Sequence, residues 1–498
     1  MRPRVIGLTA LLVALIHNVL NAQVVLSPTH YDVRFDVDYD AGQLKATTRI
    51  NLRNPSTAPV REASLLLYRL LRVRAVRDDR GRGLSFTQAV VAFEDFAQLQ
   101  VNQLLVTLPE PLAPGKQVAV EVRYDGHLLG YAETGMRYIQ DRIDTTFTIL
   151  RDDSYAFPRP GFPSEKVNRS VALPEYSYSA RITVPIGLKV ANGGRFEGAD
   201  TVGQAVTFRY ESLKPSWRMD FAIARYTELR TGSVRVLHLP GDGPGASGVV
   251  QAAEAALDRF TRWFGERRDP TPLTFIEVPD GWGSQADVTT IIQSAAAFKD
   301  SRRRREVYHE ISHLWNVEPS DRPSPRWGEG LASFLEDLVN QDVAGQPILD
   351  ARANQLVEWL RGQLPTHPRW RTVPLADYGR AGLTDLSYSV GNLYFDLLYR
   401  LAGQDGFNKI IAGFATECGD RGCTTKEFAD FVRRTAVVDL SRLNNDWFLT
   451  TGWADRVAQG TTINELAAYY RRAGGRELRT TLSTANAAHL HAVQAAGR

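Results

Sequence analysis

The stretch VYHEISHLWN, residues 307–316, contains the most informative pattern in the sequence. His309 and His313 are four positions apart, so on a helix both imidazoles lie on one face and can bind the same ion. Glu310 is the next residue after the first histidine, about 100° further around a helix of roughly 3.6 residues per turn. From there its carboxylate can reach a water on that ion without being a ligand. The spacing predicts a helix with an H-E-x-x-H zinc site.

A third ligand follows at Glu329, in the helical pattern WGEGLASFLEDLV (327–339). Catalytic zinc of this kind is bound by two histidines and one glutamate, which leaves a fourth position open. Glu336, two turns further along, can accept a hydrogen bond from the outer nitrogen of a zinc-binding histidine. We therefore predict one zinc ion per chain. The alternatives are two packed or solvated helix histidines, and a Glu329 that only stabilises a helix N-terminus.

The length and composition indicate a multidomain globular protein. The 498 residues exceed what one core supports, and 43% hydrophobic with 23% charged residues is ordinary for a folded soluble chain. A net charge of +3 gives no reason to expect nucleic acid or an anionic membrane surface as a partner. The two cysteines, Cys418 and Cys423, stand in a short Gly-containing segment and suggest a local disulfide rather than a metal site.

Residues 1–22 are typical of a secretory signal peptide. MRPR is positively charged, and VIGLTALLVALI (5–16) is an apolar stretch of the length of a signal h-region. Cleavage after Ala22 would export the mature chain, as a periplasmic or secreted protein. No later segment is apolar enough to span a bilayer, so we expect no integral membrane segment in the mature chain. The alternative interpretation of the apolar stretch is a buried or anchoring helix.

Hydrophobic periodicity divides the remaining chain into two domains and gives an α+β fold class. Residues 23–230 alternate with a period of two, as in HYDVRFDVDY (30–39), and turn-forming clusters separate the runs. This pattern predicts an N-terminal antiparallel β-sandwich-like domain. Residues 231–457 are mainly helical in pattern, with a strand at TPLTFIEV (271–278). A short C-terminal helix and a polar tail are predicted for residues 458–498.

The motifs HEISHLW and WGEGLASFLEDL resemble those of the gluzincin zinc metallopeptidases of the aminopeptidase N family, in which H-E-x-x-H is followed by E-G-x-A-S on the next helix. The similarity covers about residues 24–457. It implies a thermolysin-like catalytic domain and a peptide or protein substrate. It also implies that Glu310 moves the proton of the attacking water to the leaving amine. The family's Tyr-x-x-Gly motif maps onto Tyr388 and Gly391, which makes the Tyr388 phenol the expected oxyanion stabiliser.

Three departures from the family pattern concern substrate recognition. The spacer between His313 and Glu329 is shorter than in the family, and no sequence like the large helical C-terminal domain of many relatives follows, so we expect a more open cleft. The family's Gly-x-Met-Glu-Asn motif, whose glutamate binds the free α-amine of the substrate, is also missing. Its position holds GSQAD, in which Gly283, Gln285 and Asp287 are candidate substrate-binding residues and an alanine replaces the glutamate.

These patterns predict an exported zinc metallopeptidase with aminopeptidase-like specificity. One alternative is a zinc endopeptidase, and another is an enzyme like the glycyl aminopeptidases, whose zinc motif HLWNV resembles. An alternative of another class is a catalytically inactive exported binding protein on the same scaffold. Glu310 argues against an inactive binding protein, because it is not a metal ligand and its expected role is proton transfer alone. The pattern predicts neither the preferred side chain nor the oligomeric state.

Overall fold

A computed structural model describes four segments of the chain: residues 23–131, 139–268, 271–419 and 421–472. The predicted signal peptide and the polar tail beyond residue 472 lie outside the described residues. Within the described segments, no helix combines the length and the apolar character that crossing a bilayer requires.

The N-terminal half of the chain is built of β-sheet. Its strands are Ser27–Asp38 (β1), Gln43–Arg53 (β2), Val60–Tyr68 (β3), Leu71–Arg77 (β4), Phe86–Ala92 (β5), Gln100–Leu112 (β6), Gln117–Gly126 (β7), Thr148–Leu150 (β8), Arg159–Pro160 (β9), Ser177–Pro185 (β10), Lys189–Ala191 (β11), Arg195–Val202 (β12), Ala205–Glu211 (β13) and Phe221–Ala224 (β14). They form a seven-stranded sheet in the order β12-β13-β10-β1-β2-β7-β4, a four-stranded sheet β5-β6-β3-β9 and a three-stranded sheet β11-β14-β8. The pairing is antiparallel except between β1 and β10, which run parallel.

The period-two pattern of this half decides which face of each strand is buried. In β1, Val33 and Phe35 are fully buried while Arg34 between them is exposed. The buried face of β1 belongs to the same hydrophobic cluster as Leu65 of β3 and Leu104 of β6. The large sheet and the four-stranded sheet therefore share one core, which confirms the predicted N-terminal β domain.

The second half combines a five-stranded sheet with helices. The strands are Thr227–Thr231 (β15), Val234–His238 (β16), Leu273–Val278 (β17), Gln285–Ala286 (β18) and Thr290–Ser294 (β19), in the order β15-β16-β17-β19-β18. The three central strands are parallel, and both edge strands are antiparallel to their neighbours. The predicted domain boundary after residue 230 falls inside β15, which pairs with β16.

The helices of this half cover the sheet and carry the predicted site. The longer ones are Gly243–Phe264 (α1), Arg305–Ser312 (α2), Trp327–Ala344 (α3), Leu349–Gln363 (α4), Ser387–Cys418 (α5), Thr425–Thr435 (α6), Gly452–Ala458 (α7) and residues 463–472 (α8). Helices of four or five residues occur at Glu165–Arg169, Ala296–Lys299, Tyr378–Ala381 and Ser441–Asn444. α5 consists of two helical segments that meet at Gly403, whose φ of 71° interrupts the helix.

A disulfide joins Cys418 at the end of α5 to Cys423, as the spacing of the two cysteines predicts. The Cys423 carbonyl accepts a hydrogen bond from the Ser320 N–H at 2.9 Å. Next to it, an Asp321 carboxylate oxygen accepts from the Thr425 N–H at 2.6 Å. Both contacts tie the spacer between the histidines and Glu329 to the turn that the disulfide closes.

α3 and α5 cross with their backbones in contact at Gly330 and Gly391. A Cβ on Gly330 would lie 2.5 Å from the Cα of Gly391 and 2.6 Å from the carbonyl oxygen of Ser387. A Cβ on Gly391 would lie 2.9 Å from the Cα of Gly330. Contacts this short are far inside van der Waals distance, so this crossing requires glycine on both helices. Because Glu329 and Tyr388 lie next to it, the crossing brings these two side chains together.

Gly330→Ala should therefore destabilise the second domain, although alanine is the better helix former. The added methyl group must push the α3 and α5 backbones apart, an overpacking that typically costs about 1–3 kcal/mol. Gly362 in α4 is the matched control, because nothing lies within 4 Å of a Cβ at that position. Gly362→Ala should be neutral or stabilise by up to about 1 kcal/mol. Thermal unfolding of both variants measures the difference, and equal melting temperatures would contradict the close crossing.

Candidate metal centre

The structure brings His309, His313 and Glu329 together. His309 lies in the last turn of α2, and His313 follows in helical backbone with φ of −59°. Val307 and Ile311 are fully buried on the core side of α2, which turns the histidine face toward α3. The Glu329 Oε2 atom is 3.4 Å from His309 Nε2 and 3.5 Å from His313 Nε2.

These distances suit a single tetrahedral ion. Two ligand atoms about 2.05 Å from a tetrahedral centre lie roughly 3.3 Å apart, close to the two distances found. Two imidazole nitrogens and one carboxylate oxygen are a donor set that fits zinc. Among the residues that the structure describes, only this group of three has ligand atoms that all lie within 4.8 Å of one another. The side chains present therefore fit the predicted metal.

Glu336 lies where its spacing predicts, against the outer nitrogen of His309. Its Oε2 atom is 3.5 Å from His309 Nδ1, and its Oε1 atom is 3.0 Å from Arg305 Nε. A carboxylate on Nδ1 keeps the proton on that nitrogen and leaves Nε2 as the metal donor. Glu336 can thus orient His309 while Arg305 holds the carboxylate in place.

Asn316 is the corresponding neighbour of His313, and the sequence interpretation missed it. Its side-chain nitrogen is 3.4 Å from His313 Nδ1 and donates to the Gly328 carbonyl at 3.1 Å. Its position three residues after His313, one helical turn on, is the signal that could have found it. The contact connects the orientation of His313 to the start of α3.

The charges of the site favour one protonated and one neutral histidine in the metal-free chain. Burial lowers the pKa of His313 to about 4, so this imidazole is neutral at pH 7. Burial acts the same way on His309, but the Glu329 and Glu336 carboxylates outweigh it and raise the pKa of His309. Although burial opposes ionisation of Glu329, its histidine and arginine neighbours hold the pKa of this carboxyl well below its usual range.

Glu310 is buried beside the metal-binding group without belonging to it. Burial raises the pKa of Glu310 to about 7, and the Glu329 carboxylate contributes in the same direction. A carboxyl group with a pKa near the working pH can both accept and return a proton. The structure therefore places a candidate proton carrier next to the candidate ligands.

Tyr388, expected from the resemblance, lies in the first turn of α5 above the ring of His309. The two rings are nearly parallel, at 9°, with centroids 6.1 Å apart. Burial and the Glu329 carboxylate raise the pKa of Tyr388, so the phenol keeps its proton and can donate it in a hydrogen bond. Arg326 Nη2 is 3.5 Å from the Tyr388 hydroxyl and 2.5 Å from Glu329 Oε1. No local sequence pattern pointed to Arg326.

The acidic group of the 283–287 loop is engaged by residues outside the metal-binding group. Gly283 is exposed with φ of 75°, and Gln285 begins the edge strand β18 beside α2. The Asp287 carboxylate accepts hydrogen bonds from the Ser216 hydroxyl of the N-terminal domain and from the Val288 N–H. Burial raises the pKa of Asp287 to about 6. These contacts engage Asp287 in the contact between the two domains.

No protein-family model matches the sequence, and no curated protein matches it. Among solved structures, the M1 zinc metallopeptidase from Deinococcus radiodurans is similar with a TM-score of 0.59 and 16% identity, over 87% of this chain and 93% of that chain. A glutamate-to-alanine mutant of that enzyme bound to a Tyr-Ser-Ala substrate has a TM-score of 0.60 and 17% identity, over 85% and 94%. At this identity the similarity shows the fold: the chain has the two-domain α+β architecture of the M1 zinc metallopeptidases.

Zinc binding to the metal-free chain at pH 7 should release at least one proton per ion. The raised pKa of His309 means that its imidazole carries a proton at pH 7, which an ion must displace, whereas His313 and Glu329 are already deprotonated. Calorimetric titration in buffers of different ionisation enthalpy measures this number. Glu336→Gln removes one carboxylate that raises the His309 pKa, so the proton release should disappear at a lower pH in this variant than in the wild-type chain. Zinc binding with no proton release would contradict the protonation pattern.

Proposed function

We propose that this chain is an exported zinc metallopeptidase with His309, His313 and Glu329 as the ligands of one zinc ion per chain. The observation that carries the proposal is a three-donor group of tetrahedral dimensions with a buried carboxylate, Glu310, beside it that is not a donor. Bound zinc would supply a Lewis acid that polarises the scissile carbonyl and lowers the pKa of a water toward about 7. Export rests on the signal-like sequence of residues 1–22 alone.

The residues of the chain have distinct roles in this proposal. Glu310 accepts a proton from the attacking water at its carboxylate and passes it to the nitrogen of the leaving amine. Its pKa is about 7 in the metal-free chain, and the positive charge of a bound ion would favour the ionised form that accepts the proton. The Tyr388 hydroxyl keeps its own proton and donates a hydrogen bond to the oxygen on which negative charge develops. Glu336 and Asn316 orient the two imidazoles.

The 283–287 loop bears on whether the peptidase needs a free substrate N-terminus. An aminopeptidase must pair the substrate's α-ammonium, because a buried ammonium without a partner costs binding free energy. Ala286 has no carboxylate to offer, and that of Asp287 is engaged by Ser216. This observation favours a peptidase that accepts blocked or internal peptide bonds over the aminopeptidase-like specificity that the resemblance implies.

Glu310→Gln tests the proposed chemistry. The variant should retain one zinc per chain and lose turnover of internally quenched peptides by roughly 10²- to 10⁴-fold, the usual contribution of a general acid–base group. Glu306→Gln, one turn earlier on α2 and paired with Arg303, is the matched control and should keep most of the activity. A wild-type chain that binds zinc and hydrolyses no peptide would instead support the inactive binding protein.

The same assay decides the specificity when each peptide is supplied with a free and an acetylated N-terminus. Because the loop offers no unengaged carboxylate, acetylation should change kcat/KM by less than about tenfold, a difference of 1.4 kcal/mol in transition-state binding. Hydrolysis restricted to peptides with a free N-terminus would show that another group binds the ammonium. That result would support aminopeptidase-like specificity.

A further inference from the structure

Arg326, the residue before α3, has a left-handed backbone with φ of 56° and ψ of 32°. This conformation is uncommon for residues other than glycine, and it persists where the surroundings hold it, often at functional sites. Here the Ser324 hydroxyl accepts the Arg326 N–H at 3.1 Å, and the Arg326 carbonyl accepts the Glu329 N–H at 3.1 Å. The local structure therefore fixes the direction in which the Arg326 side chain leaves the backbone.

One nitrogen of the Arg326 guanidinium contacts other side chains, and the other two have no hydrogen-bond partner among the described residues. Its Nη2 atom contacts Glu329 Oε1 at 2.5 Å and the Tyr388 hydroxyl at 3.5 Å. The two oxygens of Glu329 therefore have different partners. Oε1 contacts Arg326, and Oε2 lies near the two histidines. Within the described residues, Nε and Nη1 of Arg326 make no hydrogen bond, and the side chain is 44% exposed.

Metal binding alone does not explain a cation at this position. A positive charge on the outer oxygen of Glu329 opposes the attraction between that carboxylate and a divalent ion. Glu318, an acidic residue of the spacer, accepts a hydrogen bond from the Ser324 hydroxyl at 2.8 Å. It forms no ion pair with Arg326 in the described part of the chain. The Arg326 guanidinium carbon lies 5.9 Å from the centre of the Tyr388 ring, and its side chain is partly exposed. A guanidinium beside the site, with N–H groups that no described residue accepts from, matches a carboxylate.

We propose that Arg326 is a specificity-determining residue that binds a carboxylate of the substrate close to the scissile bond. The inference rests on the proposed peptidase function and supplies its substrate class. The carboxylate is either the C-terminal group of a short peptide or an Asp or Glu side chain next to the cleaved bond. An anionic preference agrees with the 283–287 loop, where Asp287 is engaged and no carboxylate is left open for an ammonium.

Tripeptide binding to the zinc-loaded Glu310→Gln chain tests whether Arg326 binds a substrate carboxylate, and it does not depend on turnover. One pair of tripeptides differs only in a C-terminal acid or amide, and a second, amidated pair differs only in Asp or Asn, so the two sources of carboxylate are distinguished. By calorimetry, the acidic member of at least one pair should bind at least about tenfold more tightly, as expected for a charge-assisted pair. Adding Arg326→Gln should reduce that ratio to near one. Adding Arg302→Gln, the same charge change at an exposed residue paired with Asp300, should leave it unchanged.

Equal binding within both pairs when Arg326 is present would overturn the inference, and so would a preference that survives Arg326→Gln. If circular dichroism shows that Arg326→Gln does not fold, Arg326→Lys replaces it. Lysine keeps the charge but lacks the planar fork, so the acid preference should fall several-fold, and an unchanged preference would overturn the inference. A zinc-loaded wild-type chain that shows the preference but hydrolyses no peptide would refute the proposed function while supporting the carboxylate site.

Discussion

The backbone contact between Gly330 and Gly391 is the constraint on which the candidate site depends. Helices packed through ordinary side chains lie roughly 8–10 Å apart. Here the two glycines let α3 and α5 touch, since a Cβ on Gly330 would lie 2.5 Å from the Cα of Gly391. Glu329 precedes one glycine and Tyr388 lies one turn before the other. Each motif therefore combines a group suited to chemistry with the glycine that positions it.

The charged groups of the candidate site pair with one another in the metal-free chain. Without metal, Glu329 and Glu336 share the positive charge of a protonated His309, while Arg305 and Arg326 pair the outer oxygens of the two carboxylates. In the proposed zinc enzyme, a bound ion would displace the His309 proton. Arg326 does not fit a purely metal-binding role, because its charge opposes the ion, which is why we propose that it contacts the substrate.

Local patterns of the sequence predicted the pair of histidines on one helix face and the strands of the N-terminal half, because helix and strand geometry dictates such patterns. A spacing of four places His309 and His313 on one face whatever the tertiary structure, and the period-two runs require half-buried strands. The parallel pairing of β1 with β10 depends on tertiary contacts that no local pattern encodes. The same holds for Asp287, whose partner Ser216 is 71 residues away in the sequence. Resemblance alone indicated Asp287 as a substrate group, and that role stays a prediction.

Diffraction data collected at the zinc absorption edge, from crystals of the zinc-loaded chain, test the central claim most directly. One anomalous peak per chain is expected, about 2.0–2.2 Å from His309 Nε2, His313 Nε2 and Glu329 Oε2. A zinc ion bound elsewhere, or bound without Glu329 as a ligand, would contradict the proposal that His309, His313 and Glu329 form one zinc centre.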